Sequence, residues 1–393
     1  MPTQTHRFAL FALAAGAFAI GTTEFSPMGF LPEIANGLEI SISQAGLLIT
    51  AYAVGVMVGA PIMTRAFNRF NRRLALILLM ILFIVGNLLS AIAPEFFTLT
   101  LARLVTSLNH GAFFGIGSVV AAQLVPKEKQ ASAVAAMFMG LTIANIGGVP
   151  FATWFGQHFG WRIAFACIAL LGIITVLSLA KALPPMTAAP VTNIRAELNV
   201  LTRRPVLLAM ATTVMGAGAM FSLYTYIAPS LQTFTQASSG LITSMLVLIG
   251  VGFSIGNYVG GRWADKSIDK TLVVFLVLLA IVMFAFPMLA TTAYGAGLSL
   301  VIWGIAAFAI VAPLQMRVMS VAHEVAGLAS AVNIGAFNLG NALGAAVGSL
   351  ILYLSDSYTA VSIGGGIMAL LALVLVWVQR RDRMLANTSL SLA

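Results

Sequence analysis

Twelve apolar stretches follow one another along this 393-residue chain, beginning near residues 8, 44, 74, 97, 131, 163, 206, 239, 271, 295, 326 and 359. Each runs for about 20 residues or more, enough to cross roughly 30 Å of hydrocarbon. Hydrocarbon offers backbone amides no water, so a chain built this way folds as helices or as a closed barrel. The Gly and Pro inside these runs suit membrane helices, and the alternating ten-residue segments of a barrel are not seen. Only 8% of residues are charged, against about 25% in ordinary soluble domains, which excludes a water-soluble globular fold. The first stretch continues past residue 20 through Glu24 to Leu31 without a polar break, unlike a cleavable signal, and is expected to remain a membrane helix.

The net charge of +9 is a matter of topology. With the N-terminus inside, the inner segments hold 18 of the 20 Lys and Arg residues, in short clusters such as Arg65, Arg69, Arg72 and Arg73. Only Arg103 and Arg162 fall elsewhere, and the outer segments carry Glu33, Glu39, Glu95 and Asp356. This is the positive-inside pattern, with both termini cytoplasmic and no nucleic-acid partner. The single cysteine, Cys167, sits in an apolar run and offers neither a disulfide nor a thiolate cluster. No phosphate-binding loop is present, and glycine pairs such as Gly115 and Gly117 lie inside apolar helices. We expect no enzyme activity, no metal and no cofactor.

The sequence repeats itself at half its length. Ala131-Ser132-Ala133-Val134 returns as Ala329-Ser330-Ala331-Val332, Pro32 as Pro229, and the turn Asn68 to Arg73 falls on Asp265 to Lys270. The expected fold is therefore an all-α membrane protein of twelve transmembrane helices in two pseudo-symmetric six-helix bundles. These comprise residues 1–183 and 205–393, joined by a cytoplasmic linker at 184–204. Parallel six-helix repeats of this kind place a substrate site near the bilayer midplane.

Ionisable groups deep in a span cost roughly 2.5 to 3.5 kcal/mol each on insertion scales, so they mark function. Glu24 in the first span and Arg103 and His110 in the fourth are such groups. At about 1.5 Å per residue they lie about 16, 10 and 21 Å from the outer ends of their helices. Arg103, Ser107, His110 and Phe114 share one helical face, on which a carboxylate could meet either base; we expect that stripe to face a cavity. A buried structural ion pair between Glu24 and Arg103 is the plainer alternative. Asn109, Asn145, Phe221, Tyr224, Tyr226, Gln315, Asn333 and Asn338 are the candidates for a substrate cavity. For the tyrosines the alternative is an interfacial belt, and for the asparagines, helix-to-helix hydrogen bonds. The small residues Gly140, Gly147 and Gly148 with Pro150 in the fifth span, and Gly340, Gly344 and Gly348 in the eleventh, permit close helix approach; in the fifth span they also suit a hinge.

Thr22-Thr23-Glu24-Phe25-Ser26-Pro27-Met28-Gly29, Asn109-His110-Gly111, the Gly/Pro pattern from Gly140 to Pro150 followed by Gly160-Trp161-Arg162, and Tyr224-Thr225-Tyr226 with Pro229 resemble the drug:proton antiporters of the major facilitator superfamily. The likeness covers the whole chain and is nearest to sugar-efflux and arabinose-efflux-type carriers of the bacterial inner membrane. The superfamily's gating-loop signature, Gly-x-x-x-Asp-Arg-x-Gly-Arg-Arg, is degraded in the first half. Thr64, Asn68 and Asn71 replace its first glycine, aspartate and second glycine, while Arg69, Arg72 and Arg73 remain. The second-half copy keeps Gly261, Asp265 and Lys266. The resemblance implies that Glu24 and Arg103 take part in proton coupling and that Gly140, Gly147, Gly148 and Pro150 form the antiporter motif.

These readings describe a monomeric proton-coupled carrier that exports a small amphipathic drug, sugar or related metabolite by alternating access. Glu24 carries the proton, Arg103 tunes its proton affinity, and His110 assists or binds substrate. A proton-coupled nutrient symporter and a non-transporting membrane sensor are the alternatives. The topology makes a direct prediction. In a Cys167→Ser background, Asn193→Cys reacts with impermeant thiol reagents only from the cytoplasmic side and Asn36→Cys only from outside; the reverse labelling pattern would overturn the orientation.

Overall fold

The computed structural model of the protein describes residues 4–40, 42–187 and 194–391. Residues 188–193 of the expected linker lie outside the described residues, as do 1–3, 392 and 393 at the ends of the two expected bundles. Among the described residues twelve helices are long and apolar enough to cross a membrane. They are α1 (Arg7–Gly29), α2 (Gln44–Phe67), α3 (Arg72–Ile92), α4 (Phe96–Gln123), α5 (Lys127–Phe159), α6 (Trp161–Ala182), α7 (Arg204–Tyr224), α8 (Gly240–Lys266), α9 (Ile268–Leu289), α10 (Ala293–Val321), α11 (His323–Ser355) and α12 (Tyr358–Asp382). Each begins within four residues of the position read from hydropathy. Polar residues at the turns start several of them. Asn71, Ser238, Ser267 and Thr292 each accept a hydrogen bond from a backbone N–H in the first helical turn, which satisfies a donor the helix itself leaves open. Asn71, which replaces a glycine of the signature loop, thus caps α3.

The chain forms two compact units, Met1–Asn193 with Gly327–Gly335, and Ile194–Ala326 with Ala336–Ala393. The first unit thus includes a short segment near the start of α11. Within the first unit α2 packs on α4, α3 on α4 and α6, and α1 on α5 and α6. Within the second, α8 packs on α10, α9 on α10 and α12, and α7 on α12. The four pairings of the second set repeat four of the first at a spacing of six, and the fifth, α1 on α5, is matched by Gly340 and Gly344 of α11 against α7.

Small residues set the closest approaches. A side chain at Gly140 would place its Cβ 1.9 Å from the Ala14 carbonyl oxygen of α1, and one at Gly344 would lie 2.3 Å from the Gly218 carbonyl oxygen of α7. Membrane helices lack a hydrophobic drive to associate in lipid, so such backbone contacts carry the packing. Pro27, Pro61 and Pro287 lie inside α1, α2 and α9, where each removes one backbone donor.

α5 is interrupted. It runs as α-helix from Gln130–Ile143, widens into a π-helical turn at Ala144–Gly148, and resumes at Val149–Phe159. The cause is local: Pro150 has no N–H to give, and its ring would clash with the carbonyl four residues back in a regular helix. The wide turn relieves that clash. Gly148 is held against Thr22 of α1, while a Cβ at Gly147 would meet nothing within 4 Å. The chain then turns at Gly160, whose φ of 94° belongs to the region that favours glycine.

Gly140 and Gly147 therefore answer differently to the same added methyl. Gly140→Ala should lower stability by about 1–3 kcal/mol, as overpacking does, and Gly147→Ala should leave it nearly unchanged. Thermal unfolding of the two variants in detergent tests this, and equal unfolding temperatures would refute the packing described.

Candidate functional site

A cluster of polar groups sits inside the first unit, held by α1, α2, α3 and α4. Arg103 of α4 is 1% exposed. Its Nη1 donates to Thr23 Oγ1 at 3.2 Å and its Nη2 donates to the Thr23 carbonyl oxygen at 3.0 Å. That carbonyl is available because of sequence. In a regular helix it would accept from the N–H four residues later, and the residue there is Pro27, which has none. Thr23 Oγ1 in turn donates to Asn87 Oδ1 of α3 at 2.7 Å, and Asn87 Nδ2 donates to the Phe83 carbonyl. The guanidinium also lies over the Tyr52 ring of α2, 4.3 Å from its centroid, and 5.6 Å from that of Phe165. Stacking of this kind adds about 0.5–2 kcal/mol.

Tyr52 joins the arginine to the histidine. Its hydroxyl is 3.3 Å from His110 Nδ1, and the same nitrogen lies 3.9 Å from Glu24 Oε2. The His110 side chain is 6% exposed and that of Glu24 15%, so the carboxylate is the more open of the two. Phe114 packs on His110 at 5.1 Å between ring centroids and stacks on Phe138. Among the described residues no ion pair joins Glu24 to Arg103; the carboxylate faces His110, and Arg103 is held by Thr23 and Tyr52. The stripe of Arg103, Ser107, His110 and Phe114 is buried throughout. It packs on α1, α2 and α5. Ser107, whose hydroxyl donates to the Leu104 carbonyl at 2.7 Å, abuts Gly55.

The other candidates are spread over both units. Asn109 is fully buried on α4 with neither side-chain polar atom hydrogen-bonded, and Asn145, in the π-helical turn, donates to the Leu141 carbonyl at 3.0 Å. In the second unit Phe221 meets Tyr224 edge-on, and Tyr224 stacks on Trp303 with centroids 6.0 Å apart. Tyr226 is half-buried; its hydroxyl donates to the Ala345 carbonyl at 2.9 Å and its ring covers Gly348. Gln315 on α10 and Asn333 on α11 are buried, and Asn338 is half-buried.

The residues of the expected gating loop tie helix ends together in the first unit. Arg72 donates to Gln123 Oε1 at the end of α4, and Arg73 to the Ala180 carbonyl near the end of α6. Arg69 is exposed over the Phe70 ring, and Asn68 closes α2 through its backbone N–H to the Thr64 carbonyl. In the second unit Asp265 is half-buried near the end of α8. A buried centre that sequence reading had counted only among the inner charges lies nearby. Arg317 of α10, 1% exposed, lies 3.1 Å from Asp269 Oδ1 of α9. Its Nε donates to Gln379 Oε1 of α12, whose Nε2 donates to the Pro205 carbonyl of α7. Tyr52, Thr23 and Asn87 were likewise missed as members of the first cluster. The available signal was Asn87 as the one amide in an otherwise apolar third span, and Pro27 four residues after Thr23.

Twelve spans in two units, each with buried polar centres, describe a multi-pass membrane carrier. A sequence profile described as Major Facilitator Superfamily matches residues 13–343. Inner membrane transport protein YdhP of Escherichia coli K12 is 60% identical over 376 residues, covering 96% of this chain and 97% of that one. Putative transporter AraJ of the same organism is 32% identical, covering 93% of each. Among solved structures, the proton:xylose symporter XylE superposes with a TM-score of 0.76 over 96% of each chain at 15% identity. The Escherichia coli fucose:proton symporter FucP gives 0.76 over 96% of this chain and 99% of that one at 11% identity. The chain belongs to the major facilitator superfamily and is a membrane transporter for small molecules; its fold and its relatives are those of transporters, not enzymes.

Thr23→Val keeps the shape of the side chain and removes the hydroxyl that accepts from Arg103 and donates to Asn87, leaving the Thr23 carbonyl as the other acceptor. Leaving those buried groups short of partners should cost about 1–3 kcal/mol, read as a lower thermal unfolding temperature in detergent. An unchanged temperature would mean that Thr23 Oγ1 does not anchor the cluster.

Proposed function

We propose that the protein is a proton-coupled efflux carrier of the bacterial inner membrane, exporting a small amphipathic drug, sugar or related metabolite by alternating access. In this reading it acts as a monomer with both termini cytoplasmic. The observation that carries the proposal is the Glu24 carboxylate. It is the acid set deepest in any span, it keeps 15% exposure, and it lies 3.9 Å from a buried histidine. Coupling requires a group that changes charge during the cycle, and intramembrane acids serve that purpose in pumps and transporters. A proton taken up by Glu24 from one side neutralises the carboxylate, and its release to the other side restores the charge. His110 stands ready as hydrogen-bond partner to either form. Arg103, fixed by Thr23 and Tyr52, contributes a steady positive charge nearby without a direct bond to the acid. The tight seat of Gly140 and Gly148 on α1 supports the antiport reading, since it ties the helix that carries Glu24 to α5. YdhP, by its name an inner membrane transport protein, supports the location.

The substrate is found first, by a thermal-shift screen of the purified protein against antibiotics, sugars and nucleosides. Glu24→Gln then keeps the volume of the side chain and fixes it in a neutral form. In proteoliposomes the variant should lose accumulation driven by a pH gradient while retaining downhill exchange of a neutral substrate. Pumping against a gradient at the wild-type rate would make Glu24 structural. Uptake, the symport alternative, uses the same groups in the opposite coupling, and flux compared in inverted and right-side-out vesicles separates the two.

A further inference from the structure

The π-helical turn of α5 leaves a cavity of about 260 Å³ between α1, α5 and α6. Phe18 and Thr22 of α1 form its floor, Gly147 and Phe151 one wall, and Cys167 and Leu171 the other. Its lining is hydrocarbon and aromatic but for two groups. The Thr22 hydroxyl is already committed, donating to the Phe18 carbonyl at 2.8 Å, and the Cys167 thiol behaves as a small apolar group. No charged side chain lines the cavity. An amphipathic solute would find nothing there to hold its polar end.

The surroundings decide the occupant. Phe151 at the rim is 62% exposed, and Leu170 and Ile174 on the neighbouring face of α6 are 55% and 50% exposed. In a twelve-span protein such a face meets lipid, so the cavity is continuous with the lipid-facing surface. Counted at 1.5 Å per residue from the turn at Gly160, its lining spans depths of about 6 to 20 Å. That stretch is about as long as the hydrocarbon of one leaflet is thick, about 15 Å. We propose that this cavity is a binding site for one acyl chain of a bilayer phospholipid, admitted by the missing side chain at Gly147 and bedded on Phe18 and Thr22. The chain fills the gap that the π turn opens behind the segment of α1 bearing Thr23 and Glu24. It thus supplies packing that this part of α5 does not provide, independently of how transport is coupled.

Cys167, the only thiol of the protein, reports on the site directly. Wild-type protein stripped of lipid in detergent is alkylated with N-ethylmaleimide, with and without added dioleoylphosphatidylcholine. A site nine-tenths occupied slows the reaction about tenfold. Dihexanoylphosphatidylcholine, with the same headgroup and short chains, should protect far less. Ile174→Cys in a Cys167→Ser background controls for general shielding by lipid and should slow little. Gly147→Leu, whose Cβ would meet nothing within 4 Å and whose remaining carbons compete with a ligand for the cavity, should abolish the lipid dependence at Cys167; if that variant does not fold, the wild-type comparison decides alone. Equal slowing of both cysteines, or none at Cys167, overturns the proposal. So does protection by the lipophilic cation tetraphenylphosphonium with none by dioleoylphosphatidylcholine, which would assign the cavity to solutes.

Discussion

The first unit is organised around one guanidinium that has no water to turn to. Arg103 brings five N–H donors into a span where each unmet donor is costly. α1 takes two of them, with the hydroxyl and carbonyl of a single residue, Thr23. The carbonyl is free only because Pro27 cannot use it, so a proline that weakens the helix ladder is what binds α1 to α4. Asn87 then secures Thr23 from the α3 side, and the Tyr52 ring closes the remaining face of the guanidinium. Four helices are fixed relative to one another by the solvation of one charge.

The opposite side of α1 is organised by the absence of side chains. Ala14, Phe18 and Thr22 face Gly140 and Gly148 of α5 at distances that leave no room for a Cβ. Close-packed interfaces of this kind transmit displacement instead of absorbing it. α1 is therefore held at Thr23 by hydrogen bonds on one side and by backbone contact on the other, with Glu24 next in the chain. Any movement of α5 relative to α4 must be expressed in the stretch of α1 that carries the acid.

Sequence made the spans legible because hydropathy reports directly on what a bilayer selects, and each began close to where it was read. The depths of Glu24, Arg103 and His110 were also visible, since the cost of an ionisable group in hydrocarbon singles it out. What could not be read was pairing. A helical face tells which residues share a side of α4, but not that Tyr52 of α2 would come between Arg103 and His110, or that the arginine would take a carbonyl in place of the carboxylate. Arg317 was hidden for a related reason. Near a helix end a basic residue reads as a topology signal, and only the fold brings Asp269 and Gln379 onto it. The first-unit loop shows the converse: Asn71 looked like a lost glycine and serves as the cap of α3.

Because the hydrogen bonds of Arg103 go to Thr23 and none to Glu24, a change of charge on the acid does not make or break an arginine bond; on the proton-coupled reading its effect must pass through His110. The imidazole Nδ1 has a single in-plane position, donor or acceptor according to tautomer. Two groups approach it, the Tyr52 hydroxyl at 3.3 Å and Glu24 Oε2 at 3.9 Å. A neutral Glu24 can offer a proton to that nitrogen in place of the tyrosine, whereas an ionised one can only accept. Protonation thus alters which helix, α1 or α2, His110 holds. The Tyr52 ring stays against Arg103 in either case, so the exchange takes place about a fixed charge. A proton arriving at Glu24 is then converted into a choice of helix contact, and that is the form a local event must take if it is to bias a carrier between two packings.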